Sequence, residues 1–161
     1  MANEVLQKQG TDIVWTSSGG DETLTMTSLA DGGGRAGDEH DFGATFPPRV
    51  RISLLVDFNV APTAGRVMEV FWSSSHDGTN YDGECTGSDA AYDSEDDAKR
   101  LHYVGFLAAS NDTDPQRASW VFYLPARYGL PVVMNQSGQV LTNVGTDQIL
   151  TVTPLIDEVQ D

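Results

Sequence analysis

VRISLLVDF, residues 50–58, alternates two kinds of side chain: Val50, Ile52, Leu54, Val56 and Phe58 fall on one face, and Arg51, Ser53, Leu55 and Asp57 on the other. A period of two is the mark of a β-strand, whose successive side chains point to opposite sides of a sheet. One face is wholly apolar and the other partly so, which predicts a strand set centrally in a sheet with its apolar side against a core.

The same period recurs outward from this stretch. RVMEVFW (66–72) brings Met68, Val70 and Trp72 together, and ASWVFYL (118–124) does the same for Ala118, Trp120, Phe122 and Leu124; both are expected as core strands. ETLTMTSL (22–29) sets Leu24, Met26 and Ser28 against a threonine face, as a half-buried strand requires. Weaker strand segments are DIVWT (12–16), a polar one within 35–42, YVGFLAA (103–109), LPVVMN (130–135) and QILTVTPL (148–155). Turn-forming clusters such as LADGGGR, VAPTAGR, NDTDPQ and NQSG separate them. A sustained 3.6-residue period is nearly absent, so no crossover helices are expected to join parallel strands. The pattern predicts an all-β chain, an antiparallel β-sandwich or jelly roll with one long acidic loop. Its 161 residues suit a single domain spanning 1–161, with short mobile arms at about 1–11 and 156–161 that in an assembly can reach a neighbour.

Nine basic residues stand against 24 acidic ones, a formal charge of −15. This sign disfavours nucleic acid and anionic membrane surfaces as partners, because both are bound mainly through Lys and Arg, and it favours solubility at high local concentration. The opening residues MANEVLQKQGTDIVW lack the basic and apolar regions of a secretory signal, and no apolar run reaches the roughly 18 residues of a membrane span. The expectation is a protein not exported by that route, in which the sequons at Asn111 and Asn135 are chance occurrences. Cys85, the single cysteine, reads as a small loop side chain with no base recruited to it.

The most acidic stretch is SSSHDGTNYDGECTGSDAAYDSEDDAKR (73–100). Ser75 to Tyr81 reads as a tight turn with positive φ near Asp77 and Gly78. The excursion that follows is expected to be solvent-facing and dispensable for folding, since it is rich in Asp, Gly and Ser. A short helical turn from Ser94 to Ala98, closed by Lys99 and Arg100, is its one helix candidate. Asp77, Asp82 and Glu84 are weak calcium candidates, bringing hard oxygens together around Gly78 and Gly83 but missing the EF-hand spacing. In Asp38-Glu39-His40-Asp41, alternate residues point apart, so a solvated polar strand is expected there in preference to a metal site. No phosphate loop, HExxH, GxSxG or paired CxxC is present, and His40, His76 and His102 lie in separate segments. No enzyme activity and no cofactor are therefore expected.

The turn WSSSHDGTNYDG (72–83) and the segment PARYGLPVVMNQSG (125–138) resemble those of small structural proteins of tailed bacteriophages, over residues 70–155. The resemblance implies a virion component of sandwich or jelly-roll type. The role expected is capsid decoration, a cement protein on the outer capsid surface, made in the host cytoplasm, bound to the major capsid protein and often a homotrimer. A tail or neck adaptor is the alternative within the same virion. A carbohydrate-binding sandwich is the alternative outside it, because S-x-D-G-x-N-Y is also similar to a turn of discoidin-like lectins; Trp72, Tyr81, Tyr92 and Tyr103 are then the candidate stacking groups. RASWVFYLPARYGLPVVMN carries more apolar groups than one small core needs, which makes Val121, Tyr123, Tyr128 and Leu130 the candidates for an oligomer contact.

Overall fold

The computed structural model describes residues 4–93 and 95–160. In chain order the strands are β1 (Glu4–Gln9), β2 (Ile13–Thr16), β3 (Glu22–Thr23), β4 (Gly34–Ala36), β5 (His40–Asp41), β6 (Arg49–Val56), β7 (Val67–Ser75), β8 (Ala90–Ala91), β9 (His102–Ala108), β10 (Gln116–Tyr123), β11 (Tyr128–Gln136) and β12 (Ile149–Gln160). A single helical turn, α1 (Glu95–Ala98), is the only α-helix among the described residues. Ser94, the expected cap of that turn, lies outside them.

The strands form two six-stranded sheets packed as a β-sandwich. The first runs β10-β6-β12-β2-β3, with β1 also on β12; the second runs β8-β4-β11-β7-β9, with β5 also on β11. All pairings are antiparallel except the two-residue β2–β3 contact. The alternation in VRISLLVDF is realised as predicted: β6 lies between β10 and β12, its even-numbered residues are fully buried and its odd-numbered ones half-buried. The core between the sheets takes Ile52, Leu54, Val70, Trp72, Leu150 and Val152, and Trp15 meets Trp72 edge-on at 6.0 Å.

A second core lies on the outer face of the second sheet. Leu130, Val132 and Met134 of β11 point there, away from the sandwich interior, and Cys85, Tyr92, Ala98 and Leu101 of the acidic excursion cover them. The excursion is therefore not a free solvent loop: its few apolar residues and Asp89 anchor it, while carboxylates such as Glu84 and Asp96 face outward. Tyr92 is buried and donates from its hydroxyl to Gly83 O at 3.0 Å. Gly83 sits at φ +64 with the Leu101 side chain 2.5 Å from where a Cβ would be, a position that only glycine fills without strain. The apolar double face of β11 is thus satisfied within the chain, and Leu130, expected at an oligomer contact, is fully buried.

Two further expectations change. ETLTMTSL keeps only Glu22–Thr23 as strand, although Leu24 and Met26 are both fully buried as its alternation implied. Its backbone bonds elsewhere: Thr25 N donates to the Asp89 carboxylate and Ser28 N to Thr142 O, so no ladder continues, and Ser28 takes φ +57. β10, expected as a core strand, is an edge strand. Trp120 and Phe122 point inward but stay half-buried, because a sheet edge has a neighbour on one side only. The terminal segments expected as arms pair with each other, Glu4–Gln9 against Leu155–Gln160, as a two-stranded ribbon continuous with the first sheet.

Candidate functional site

The excursion covers the β11 side of the outer face of the second sheet and leaves Tyr103 and Phe106 of β9 each 51% exposed beyond it; the outer face of the first sheet carries a further exposed group. Odd-numbered residues of β6 and β10 point outward there, and register sets them in rows: Tyr123 opposite Arg49, Val121 opposite Arg51, Ser119 opposite Ser53 and Arg117 opposite Leu55. Ser53 and Ser119 share a hydroxyl hydrogen bond of 2.7 Å at the middle of the face. Val121 and Tyr123 are 60% and 68% exposed, values unusual for large apolar side chains on a strand. Tyr and Arg are enriched at protein–protein contacts, where rigid aromatic area and forked donors act together.

The face continues into a cleft of about 530 Å³ at the base of the terminal ribbon. Phe46, Pro47, Pro48, Tyr123, Leu155 and Ile156 give it an apolar lining. Arg49 bridges the cleft to Asp157 at 3.1 Å. Ile156 and Leu6, on the ribbon, are each close to half exposed. Of the oligomer-contact candidates, then, Val121 and Tyr123 lie on this face. Tyr128 lies on the second sheet, half-buried beneath the Arg127 guanidinium at 4.8 Å, and Leu130 is inside the second core.

The calcium candidates are held apart by other partners. Asp77 accepts from Ser75 Oγ, Thr79 N, Asn80 N and Asn80 Nδ2, and the Asn80 and Thr79 donors hold its carboxyl well below the usual carboxylate range. It is the organiser of the Ser75–Tyr81 turn, in which Gly78 takes φ +70. Asp82 accepts from Ser74 Oγ at 2.5 Å, and Glu84 pairs with Arg100 at 3.0 Å. Among the described residues no three His, Cys, Asp or Glu side chains gather as metal ligands.

His102 approaches Ser74 and Asp82, each 3.4 Å from its Nε2. In a nucleophile–base relay the imidazole sits between hydroxyl and carboxylate and uses both ring nitrogens. Here Ser74 donates directly to Asp82 and a single nitrogen faces both, so the three groups do not form a relay. His40 lies on β5 with Nδ1 2.8 Å from Glu22 and its ring edge-on to Trp15 and Phe42; His76 is exposed in the turn. Asp38 and Glu39 serve the excursion: Asp38 accepts from Asp89 N at 2.6 Å, and Glu39 from the Tyr81 hydroxyl. Burial, then the neighbouring Asp41 and Glu22, raise the Glu39 carboxyl. Asp41 is held at about 2 by the paired Arg127 and by Gly43 N. Cys85 is buried, and burial raises its thiol.

Of the four candidate stacking aromatics, Trp72 and Tyr92 are buried and Tyr81 is engaged by Glu39. Tyr103 is half exposed but stands edge-on to Phe71 at 5.3 Å. Val121 and Tyr123 were picked out on the outer face of the first sheet from sequence, whereas the arginines beside them were not, although Arg51 and Arg117 interrupt apolar strands in a chain poor in bases. No protein-family model matches the chain. No curated protein matches its sequence either.

Proposed function

We propose that the chain is a non-enzymatic structural protein of a tailed-phage virion, which attaches to the outer surface of the assembled capsid and stabilises it by bridging neighbouring major capsid subunits. The observation that carries this reading is the asymmetry of the sandwich. One outer face carries an acidic cover over β11, with Tyr103 and Phe106 exposed at its β9 edge; the other presents Tyr123, Val121, Arg51 and Arg117, next to the cleft at the base of the terminal ribbon. A module fixed to a shell needs one adhesive side and one solvated side, and the −15 charge keeps an array of copies soluble and off packaged DNA. The turn at 72–83 and the segment 125–138, which resemble those of phage structural proteins, point the same way. Assembly as a trimer, with the ribbon as the element shared between copies, is part of the proposal.

Purified protein incubated with capsids lacking it is expected to co-sediment at a fixed stoichiometry and to raise the temperature at which they release DNA. Electron cryomicroscopy of the particle locates it. Density at the neck or tail tip replaces decoration with an adaptor role, and a particle without the protein ends the reading.

A further inference from the structure

With 24 acidic residues available to nine basic ones, most arginines are expected to meet a carboxylate, and those that do not stand out by position. Arg35, Arg49 and Arg127 each pair with one carboxylate and Arg100 with two. Arg51, Arg66 and Arg117 form no ion pair among the described residues, and two of the three, Arg51 and Arg117, line one pocket of about 160 Å³ on the outer face of the first sheet. They stand at its two ends, Arg117 opposite Leu55 and Arg51 opposite Val121, with Ser53 and Ser119 between.

Arg51 is lightly held. Its Nη2 donates to Thr153 Oγ1 over 3.3 Å, and its Nε is shielded from water with no hydrogen-bond partner. A guanidinium in that state gives up one long bond when it turns toward a better acceptor, and it gains charge-assisted ones. The one carboxylate lining the pocket, Asp12, already accepts from the Thr153 hydroxyl. Two guanidiniums against that single carboxylate leave the lining positive, and the hydroxyls of Ser53 and Thr151 add further donors.

We infer that this pocket receives an Asp or Glu side chain of the protein to which the face attaches, held between Arg51 and Arg117. A carboxylate set among apolar side chains suits the site better than a polyphosphate, because the chain's overall charge repels a polyanion while Val121 and Tyr123 offer apolar area beside the pocket. The inference rests on the attachment reading for its partner, but the pocket is testable alone.

The test uses the full chain labelled with ¹⁵N and follows the arginine Nε–H signals during titration with acetyl-Glu-Glu-amide, and with acetyl-Gln-Gln-amide as control. Saturable shifts of the Arg51 and Arg117 signals with the acidic peptide alone are expected, and Arg51→Gln or Arg117→Gln should remove them without lowering the melting temperature. Capsid binding is measured in parallel, where each substitution should weaken attachment at least about tenfold, as truncating a hydrogen-bonded interfacial charge does. Flat arginine signals, or capsid binding by both variants equal to the parent, overturn the inference even if attachment itself is real. Peptide-induced shifts in a protein that ignores capsids retain the pocket and sink the attachment reading instead. Stronger shifts with a single-stranded oligonucleotide than with the acidic peptide overturn the choice of ligand.

Discussion

Asp89 of the excursion grips Arg35 of β4 with both carboxylate oxygens, Nε donating to Oδ1 at 2.8 Å and Nη2 to Oδ2 at 2.5 Å. The same carboxylate accepts from the backbone and hydroxyl of Thr25, so one side chain ties the excursion to two other segments. Asp89→Ala is expected to cost about 2–4 kcal/mol in urea unfolding. That is below the full penalty for breaking a buried pair, because the Arg35 side chain is 25% exposed and rehydrates. Burial pushes the Asp89 carboxyl up, but Arg35 and then Thr25 outweigh it and leave it below the ordinary value. A depressed carboxyl stabilises the fold above its unfolded pKa of about 4 and loses that contribution as pH falls through the folded value. Melting temperatures taken from pH 6 downward should fall less steeply for the variant than for the parent.

Gly129 and Gly105 provide a matched comparison. A Cβ at Gly129 would stand 2.3 Å from Trp72 Nε1, and one at Gly105 2.3 Å from Trp120 Nε1. Trp72 is fully buried and has nowhere to go, whereas Trp120 is half-buried on an edge strand and can swing outward. Gly129→Ala should destabilise by about 3 kcal/mol or more, the upper end for overpacking, and Gly105→Ala by about 1 kcal/mol. Equal losses would mean that Trp72 is freer than its burial implies.

Replacing residues 84–97 with a short Gly/Ser linker exposes Leu130, Val132 and Met134 and should lower the melting temperature and increase binding of an apolar dye. Tyr92→Ala alone is expected to cost about 3 kcal/mol, the lower end for a buried aromatic. A linker variant that melts like the parent would restore the excursion to the status of a dispensable loop.

Tyr92 also predicts an alkaline transition. Burial, reinforced by Cys85 and Asp97, pushes its hydroxyl up to about 12 from 10.0. A raised folded pKa means stability is complete below pH 10 and declines as pH climbs toward 12, since the unfolded chain releases its proton first. Tyr92→Phe should flatten that decline in a series of unfolding curves, at a cost of about 1–3 kcal/mol at neutral pH for leaving Gly83 O without its donor.

Deleting residues 1–9 removes β1 and leaves the second half of β12 unpaired, while the core residues of β2, β6 and β12 keep their contacts. A melting temperature within a few degrees of the parent, combined with weaker capsid attachment, is the expected outcome. Loss of cooperative unfolding would assign the ribbon to the core.

How far the sequence could be read follows from where each residue's partner lies. Val50 to Phe58 were legible because alternation within one segment reports burial on one side. Leu24 and Met26 were legible as buried but not as irregular, since the hydrogen bonds that replace the ladder come from Asp89 and Thr142, far along the chain. The excursion was misread because Cys85, Tyr92, Ala98 and Leu101 follow no period, and their counterpart is β11. The clue was the double apolar face of LPVVMN, which fits an oligomer contact and an intramolecular cover equally well in sequence. Arg51 and Arg117 lie far apart in the chain, and only the strand register brings them to one pocket.

β12 is one uninterrupted strand shared by two structures: Ile149–Pro154 lie in the sheet beside β6, and Leu155–Gln160 run on into the ribbon with β1. In an antiparallel pair the hydrogen bonds stand perpendicular to the chain, so tension along the ribbon loads them together in shear instead of unzipping them one at a time. A tether built this way transmits force straight into the middle of the first sheet. Resistance to pulling along the ribbon is thus a mechanical property of the fold that equilibrium melting does not register and that single-molecule stretching from the ribbon would measure.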